Sequence, residues 1–235
     1  MKKIVFSLLI LGGLIACQKE NKPHNLHLTG NIEGLKVGTL YIHHIKDSLF
    51  TLLDSIKIEG NSSFESFLQL DEPEMLYLFL DKGQTNSMDN SLSFFAEPGK
   101  MNINSQLETF YAGAKITGSE NQKLYEEYKK ATSRFTNEQL ELLSEEIRAK
   151  RFNRLKDYDS LVKQKETVLK RKYLYTVNFA LNHKDKEIAP YVILSEIANV
   201  NTKFLDTVNN ALTPQIAKSK YGKLLHEWVT ERKSN

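Results

Sequence analysis

Cysteine occurs once in the chain, at Cys17, so no disulfide within the chain can form and stability must come from buried apolar surface. Long apolar runs are missing too. The longest, residues 4–15 (IVFSLLILGGLI), falls well short of the roughly 20 residues that span a bilayer. An excess of positive charge is also lacking: 32 Lys and Arg face 29 Asp and Glu, and two of the lysines lie at positions 2 and 3. Overall charge therefore gives no support to nucleic-acid binding. Neither proline nor glycine occurs between residues 119 and 189, which removes the usual breakers from a long helical stretch.

What is present at the N-terminus is a basic start, Lys2 and Lys3, a short apolar core and a small residue, Ala16, before the cysteine. That order describes a secretory signal over residues 1–16. Leu14-Ile15-Ala16-Cys17 resembles the lipobox of bacterial lipoproteins. The resemblance implies that the Cys17 thiol takes a diacylglyceryl group, that cleavage precedes it, and that the protein is held at a membrane. Two or more acyl chains anchor firmly where one holds only marginally. Residues 17–25 (CQKENKPHN) are polar and read as a tether between lipid and fold.

From residue 26 to 118 the apolar period is two. Candidate strands run over residues 26–32, 37–45, 50–58, 63–70, 75–80, 92–96, 101–105 and 109–117. Turn residues separate them: Glu33-Gly34, Gly60-Asn61, Glu72-Pro73, Pro98-Gly99. The spacing predicts an antiparallel β-sandwich of about eight strands. Residues 81–90 (DKGQTNSMDN) read as a polar loop.

At residue 119 the pattern changes. Ser119 and Gln122 match a capping box. Leu124, Tyr125, Tyr128, Ala131 and Phe135 follow at helical spacing, and a second helix start is expected at Thr136 or Asn137. The stretch to about Asn182 reads as one long helix or two stacked ones. Shorter helices are predicted around Pro190, over residues 203–212, after Thr213-Pro214 and over residues 220–232. The fold class is therefore α+β, with the sandwich at 26–118 and a helical region at 119–235.

Several segments resemble a domain of unknown function found in lipoproteins of the Bacteroidota. They are GNIEGL at 30–35, GTLYI at 38–42, DSIKI at 54–58 with Phe64, FFAEPG at 94–99 and KITGSEN at 115–121. In many relatives this module precedes a thioredoxin domain that reduces disulfides. IAPY at 188–191 and SKYG at 219–222 resemble the helical segment between the two. The relatives' glycine just before the phenylalanine strand is displaced here, in Gly60-Asn61-Ser62-Ser63-Phe64. No Cys-x-x-Cys occurs, and thiol–disulfide exchange needs an attacking thiolate, so the redox activity is not carried over.

Candidate sites are few. His43 and His44 are adjacent on a strand and point to opposite faces, and no H-E-x-x-H is present, so no metal is expected. Neither G-x-S-x-G nor G-x-x-x-x-G-K-[ST] occurs, so no catalytic residue and no cofactor are assigned. Asp157 and Asp159 diverge on a helix. Asp81 and Asp89 miss the spacing of a calcium loop. Tyr41, Tyr77, Phe79, Phe94 and Phe95 read as packing. The basic run 148–172 holds ten basic and three acidic residues. Arg148, Lys150, Arg151, Arg154, Lys170, Arg171 and Lys172 are its candidate contacts to an anionic surface, against the plainer reading of a solvated helix face.

The expectation is a non-catalytic envelope lipoprotein, anchored through lipidated Cys17 and binding an envelope protein or ligand. Gln18 after the lipidated position resembles the outer-membrane sorting pattern of bacterial lipoproteins, which implies an outer-membrane lipoprotein; facing the periplasm is the expected address and the cell surface the other. The alternative is an accessory or scaffold for a separate thioredoxin-like disulfide reductase.

Overall fold

The computed structural model describes residues 23–83 and 90–234. The signal segment 1–16, Cys17, most of the tether and Asp89 lie outside the described residues.

Alternating apolar side chains build two four-stranded sheets that face each other. The strands are β1 (Leu26–Glu33), β2 (Val37–Lys46), β3 (Leu49–Glu59), β4 (Ser63–Leu68), β5 (Glu74–Asp81), β6 (Ser91–Ala96), β7 (Gly99–Gln106) and β8 (Lys115–Thr117). One sheet has the order β4-β1-β7-β8, the other β3-β2-β5-β6. The expected sandwich is present, with one parallel pairing, β1 with β7, among antiparallel ones. Asp47 and Ser48 link β2 to β3 with φ of 50° and 66°, the two positive values that suit a tight hairpin. Gly30 sits between its two neighbours in the same sheet, Phe64 on β4 and Ile103 on β7. A Cβ there would lie 2.2 Å from the Ile103 carbonyl oxygen and 2.4 Å from the Phe64 ring.

The long last strand expected over residues 109–117 shrinks to three residues. Residues 107–113 turn instead, with Gly113 N–H donating to Thr109 O at 2.7 Å. This turn drops Phe110 into the space between the sheets. Burying that ring outweighs extending the ladder.

The helices are α1 (Glu120–Arg151), α2 (Leu155–Asn182), α3 (Ile188–Glu196), α4 (Thr202–Ala211), α5 (Pro214–Ala217) and α6 (Lys220–Ser234). α1 and α2 form a hairpin whose break falls at residues 152–154, not at Thr136 or Asn137. Thr132 and Phe135 are buried, so helix continues through 136–137 and those residues have no end to cap. Asn153, at φ 54°, takes the left-handed conformation that closes α1.

The capping box is met by half. The Ser119 hydroxyl accepts from Gln122 N–H at 2.9 Å, but the Gln122 carbonyl accepts from Phe95 N–H at 2.8 Å. The amide thus bridges to the sheet instead of returning to its own cap. Glu97, at the end of β6, takes over the remaining donors. Its carboxylate accepts from the backbone of Glu120 and Asn121 and from the Asn121 side chain. The Asn121 carbonyl accepts from Ile188 N–H at 2.9 Å, tying α1 to α3. All these groups sit between a sheet and the helices, and each finds a partner, as buried polar groups must.

Two cores result. One lies between the sheets and is built from Leu, Ile, Met and Phe side chains with one alanine. The other lies between the outer face of β5–β6 and the helices, joining Met75 and Phe95 to Tyr125, Tyr128, Val192, Ile193, Tyr221 and Leu225.

Candidate functional site

The second core is incomplete at one end, and there the chain leaves a cavity of about 460 Å³. Three elements line it. β5 contributes Tyr77, on the face of the strand opposite to Leu76 and Leu78. α3 contributes Tyr191, Leu194 and Ser195, three positions that share one helical face. α6 contributes Tyr221, Leu224, Glu227, Trp228 and Glu231, again one face.

The rings are held by specific contacts. Tyr191 and Tyr221 meet edge to face with centroids 5.0 Å apart, and Phe95 and Tyr125 pack on Tyr191 at 5.5 and 5.8 Å. Edge-to-face pairs of this kind set ring orientation as well as burying area. The Tyr221 hydroxyl accepts from Met75 N–H at 2.8 Å, fixing α6 to β5. Trp228 Nε1 donates to Ala198 O at 2.9 Å. Gly222 lets α6 start close beneath α5, since a Cβ there would stand 1.9 Å from the Ile216 carbonyl oxygen. Next to it, Lys220 bonds Glu74 and the Ile45 carbonyl, and its own N–H donates to Glu72.

The electrostatics follow from this burial. Desolvation pushes the Tyr221 hydroxyl well above the ordinary tyrosine range, against the hydrogen bond from Met75 that lowers it. Burial does the same to Tyr191, helped by neighbouring Tyr125, Tyr77 and Tyr221. Tyr77 is raised by burial and lowered in part by its hydrogen bond with Tyr191. These hydroxyls stay protonated in neutral solution. Glu227 and Glu231 stand at the rim, exposed to solvent.

The structure divides the seven basic candidates into two groups. Arg148, Lys150 and Arg151 lie in the last turn of α1, where cations complement the helix dipole, and Arg154 holds the N-cap position of α2 with no capping hydrogen bond from its side chain. Lys170, Arg171 and Lys172 lie some fifteen residues further along α2, about 22 Å away at helical rise. Most have acidic or aromatic partners. Arg148 pairs with Glu145 at 2.8 Å, Arg154 with Asp157 at 3.1 Å, Arg171 with Glu138 at 2.5 Å and Lys172 with Glu196 at 2.9 Å. The Arg151 guanidinium lies 6.0 Å from the Phe152 ring centroid.

His43 and His44 face opposite sides, as expected. His44 meets Glu74 at 3.2 Å, while His43 packs among Tyr41, Phe50 and Phe79 on the outer face. Burial lowers the His43 pKa. Among the described residues no group of three His, Cys, Asp or Glu is placed to hold a metal ion. Phe94 and Phe95 are packing residues, whereas Tyr77, read as packing, also walls the cavity.

Sequence reasoning missed the cavity. The signal available was the run Tyr221, Leu224, Glu227, Trp228, Glu231, which recurs at helical spacing and puts the only tryptophan between two carboxylates. Two of the segments that carry the family resemblance, IAPY and SKYG, deliver Tyr191 and Tyr221 to it.

Residues 26–125 match the family model described as Domain of unknown function (DUF4369). The match takes in the whole sandwich and the first turn and more of α1, less than half of the chain, and leaves the cavity's α3 and α6 residues outside it. No curated protein matches the chain.

Proposed function

We propose that this protein is a non-catalytic binding module of the cell envelope, a lipoprotein of the Bacteroidota type anchored through Cys17. The cavity at the seam between sheet and helices carries this reading. Its walls are aromatic and aliphatic side chains, with carboxylates at the mouth, a lining suited to holding a small ligand. Its volume lies within the roughly 300–1,000 Å³ of small-molecule sites. The tether 17–25 would leave the module free to meet a ligand at the membrane surface. The likeness of Gln18 to an outer-membrane sorting signal favours the outer membrane; the periplasmic face is the first address proposed and the cell surface the second.

No described helix is long and apolar enough to cross a membrane, so anchoring of the described part would fall to the lipid. Among the basic candidates Arg171 and Lys172 join helices while Arg148 and Arg154 pair along the chain, and contact with anionic headgroups is a role left to Lys150 and Lys170. The accessory role beside a separate thioredoxin-like reductase rests on the family resemblance alone.

Fractionation tests the anchor. Wild-type protein should sediment with membranes and Cys17→Ala should appear in the soluble fraction. A Cys17→Ala protein that still sediments would overturn the lipid anchor. Trp228 emission tests the binding half, because the only tryptophan lines the cavity. An emission that ignores small amphiphiles of every charge would overturn it.

A further inference from the structure

We infer that the cavity selects an organic cation: an ammonium group on a short apolar stem. The inference rests on the binding reading above and names the ligand class for that site. Four aromatic rings, Tyr77, Tyr191, Tyr221 and Trp228, converge on one space. Aromatic faces carry the negative lobe of the ring quadrupole, and a cation placed over them is attracted. The chain already makes this contact nearby, where the Lys129 ammonium sits 4.4 Å from the Tyr125 ring centroid.

The carboxylates add a second argument. Glu227 and Glu231 lie one turn apart on α6 and line the same cavity. Like charges at this spacing oppose helix formation. Glu231 also stands in the last turns of α6, where the helix dipole is negative and a carboxylate is least favoured. Neither carboxylate has an ion pair among the described residues, although the chain forms such pairs freely elsewhere. A ligand cation supplies the missing positive charge and relieves both penalties.

No basic side chain lines the space. The cations around it already have partners: Lys220 with Glu74 and Ile45 O, its ammonium also 5.8 Å from the Tyr221 ring centroid, Arg232 with Ala198 O, and Lys233 with Asp206, which leaves Tyr77, Tyr191 and Trp228 as the rings without a cation of the chain's own among the described residues. The apolar share of the lining, including Leu194 and Leu224, fits a stem of several methylenes and does not fit a bare metal ion. The tyrosine hydroxyls stay neutral, so the negative charge of the lining comes from Glu227 and Glu231 alone.

A matched series of three probes decides the matter: hexyltrimethylammonium, hexanol and hexanoate, each titrated into the full chain while Trp228 emission is read. The ammonium should bind about tenfold more tightly than the alcohol, since ring faces and carboxylates act together on its charge. Hexanoate should bind weakest. Glu227→Gln with Glu231→Gln, both on the exposed rim, should lower the ammonium-to-alcohol binding ratio several-fold, to the share that the rings alone supply. Leu224→Arg, which plants a fixed cation at the mouth, should suppress the ammonium response; circular dichroism confirms that both variants fold. Equal binding of ammonium and alcohol in the wild type, or a ratio that the double glutamine variant leaves unchanged, overturns the cation inference and leaves the binding reading standing. Silence from all three probes overturns both.

Discussion

The two cores of this molecule are made of different chemistry. Between the sheets lie aliphatic side chains and a few phenylalanines, with no tyrosine in the cluster. Beneath the helices, Tyr125, Tyr128 and Tyr221 are buried and Tyr191 and Tyr175 pack against them. The first core demands only volume and alternation, because its backbone groups are satisfied by the ladders. The second demands partners for hydroxyls and amides, and it finds them in Met75, Gln122, Asn121, Thr176 and Glu97. An apolar core tolerates repacking if volume is kept, whereas a polar seam fixes orientation. The cavity opens from the seam, where ring positions are set by hydrogen bonds.

Alkali should separate the two cores most strongly. Tyr125 is pushed up to about 12 by burial, and Tyr128, Tyr191 and Tyr221 are raised further. In the unfolded chain these groups ionise near 10. Between those values the unfolded state releases protons that the folded state keeps, so stability is intact below pH 10 and falls as pH rises. One unit of this difference is worth about 1.4 kcal/mol per tyrosine. At pH 11 the four groups together would cost on the order of 5 kcal/mol. Amide exchange across an alkaline series should show protection lost in α1, α3 and α6 before β1, β2 and β5. Simultaneous loss, or tyrosines that ionise near 10 in the folded protein, would break the contrast.

A change to the sandwich should act on stability and not on the cavity. Leu78 is fully buried between the sheets and points away from its neighbours Tyr77 and Phe79. Leu78→Ala should lower unfolding free energy by about 3 kcal/mol, the usual cost of an aliphatic truncation with a residual void. Urea titration measures it. Trp228 emission in the folded variant should match the wild type. A shifted emission would show that the two cores are coupled through β5.

The contrast also explains what the sequence made legible. Alternation is a local property, so β1, β2, β4 and β5 could be read from residues such as Leu26, Leu28, Ile32 and Leu76, Leu78, Leu80. That residues 119 to about 182 are helical followed from an unbroken period, which left one long helix or two stacked ones open; the α1–α2 hairpin is the second of these. Its turn did not follow, because Asn153 adopts a left-handed conformation that only the packing of two helices requires. The capping box was half legible, since Gln122 is claimed by Phe95, a residue on a strand. The cavity was least legible. Tyr77, Tyr191 and Trp228 come from three separate elements and share no spacing. Only the carboxylate–tryptophan face of α6 was visible locally, and reading it as a site needed the sheet beneath.

Within the seam, two hydroxyl deletions should differ, and the difference tests whether partners, more than rings, set its geometry. Tyr221→Phe leaves the ring but removes the acceptor of the buried Met75 N–H. Leaving such a group unsatisfied costs roughly 1–3 kcal/mol. Tyr128→Phe is the milder change. Thr176 gives its proton to Lys172 O at 3.0 Å, so the Tyr128 hydroxyl is the donor in their 2.8 Å contact. Its loss takes one proton from Thr176 Oγ1 and leaves the threonine's own donor satisfied, so the cost should stay near 1 kcal/mol or below. Urea midpoints of the two variants measure the gap. Equal losses would mean that the Met75 amide finds a substitute, and that ring packing alone holds α6 against β5.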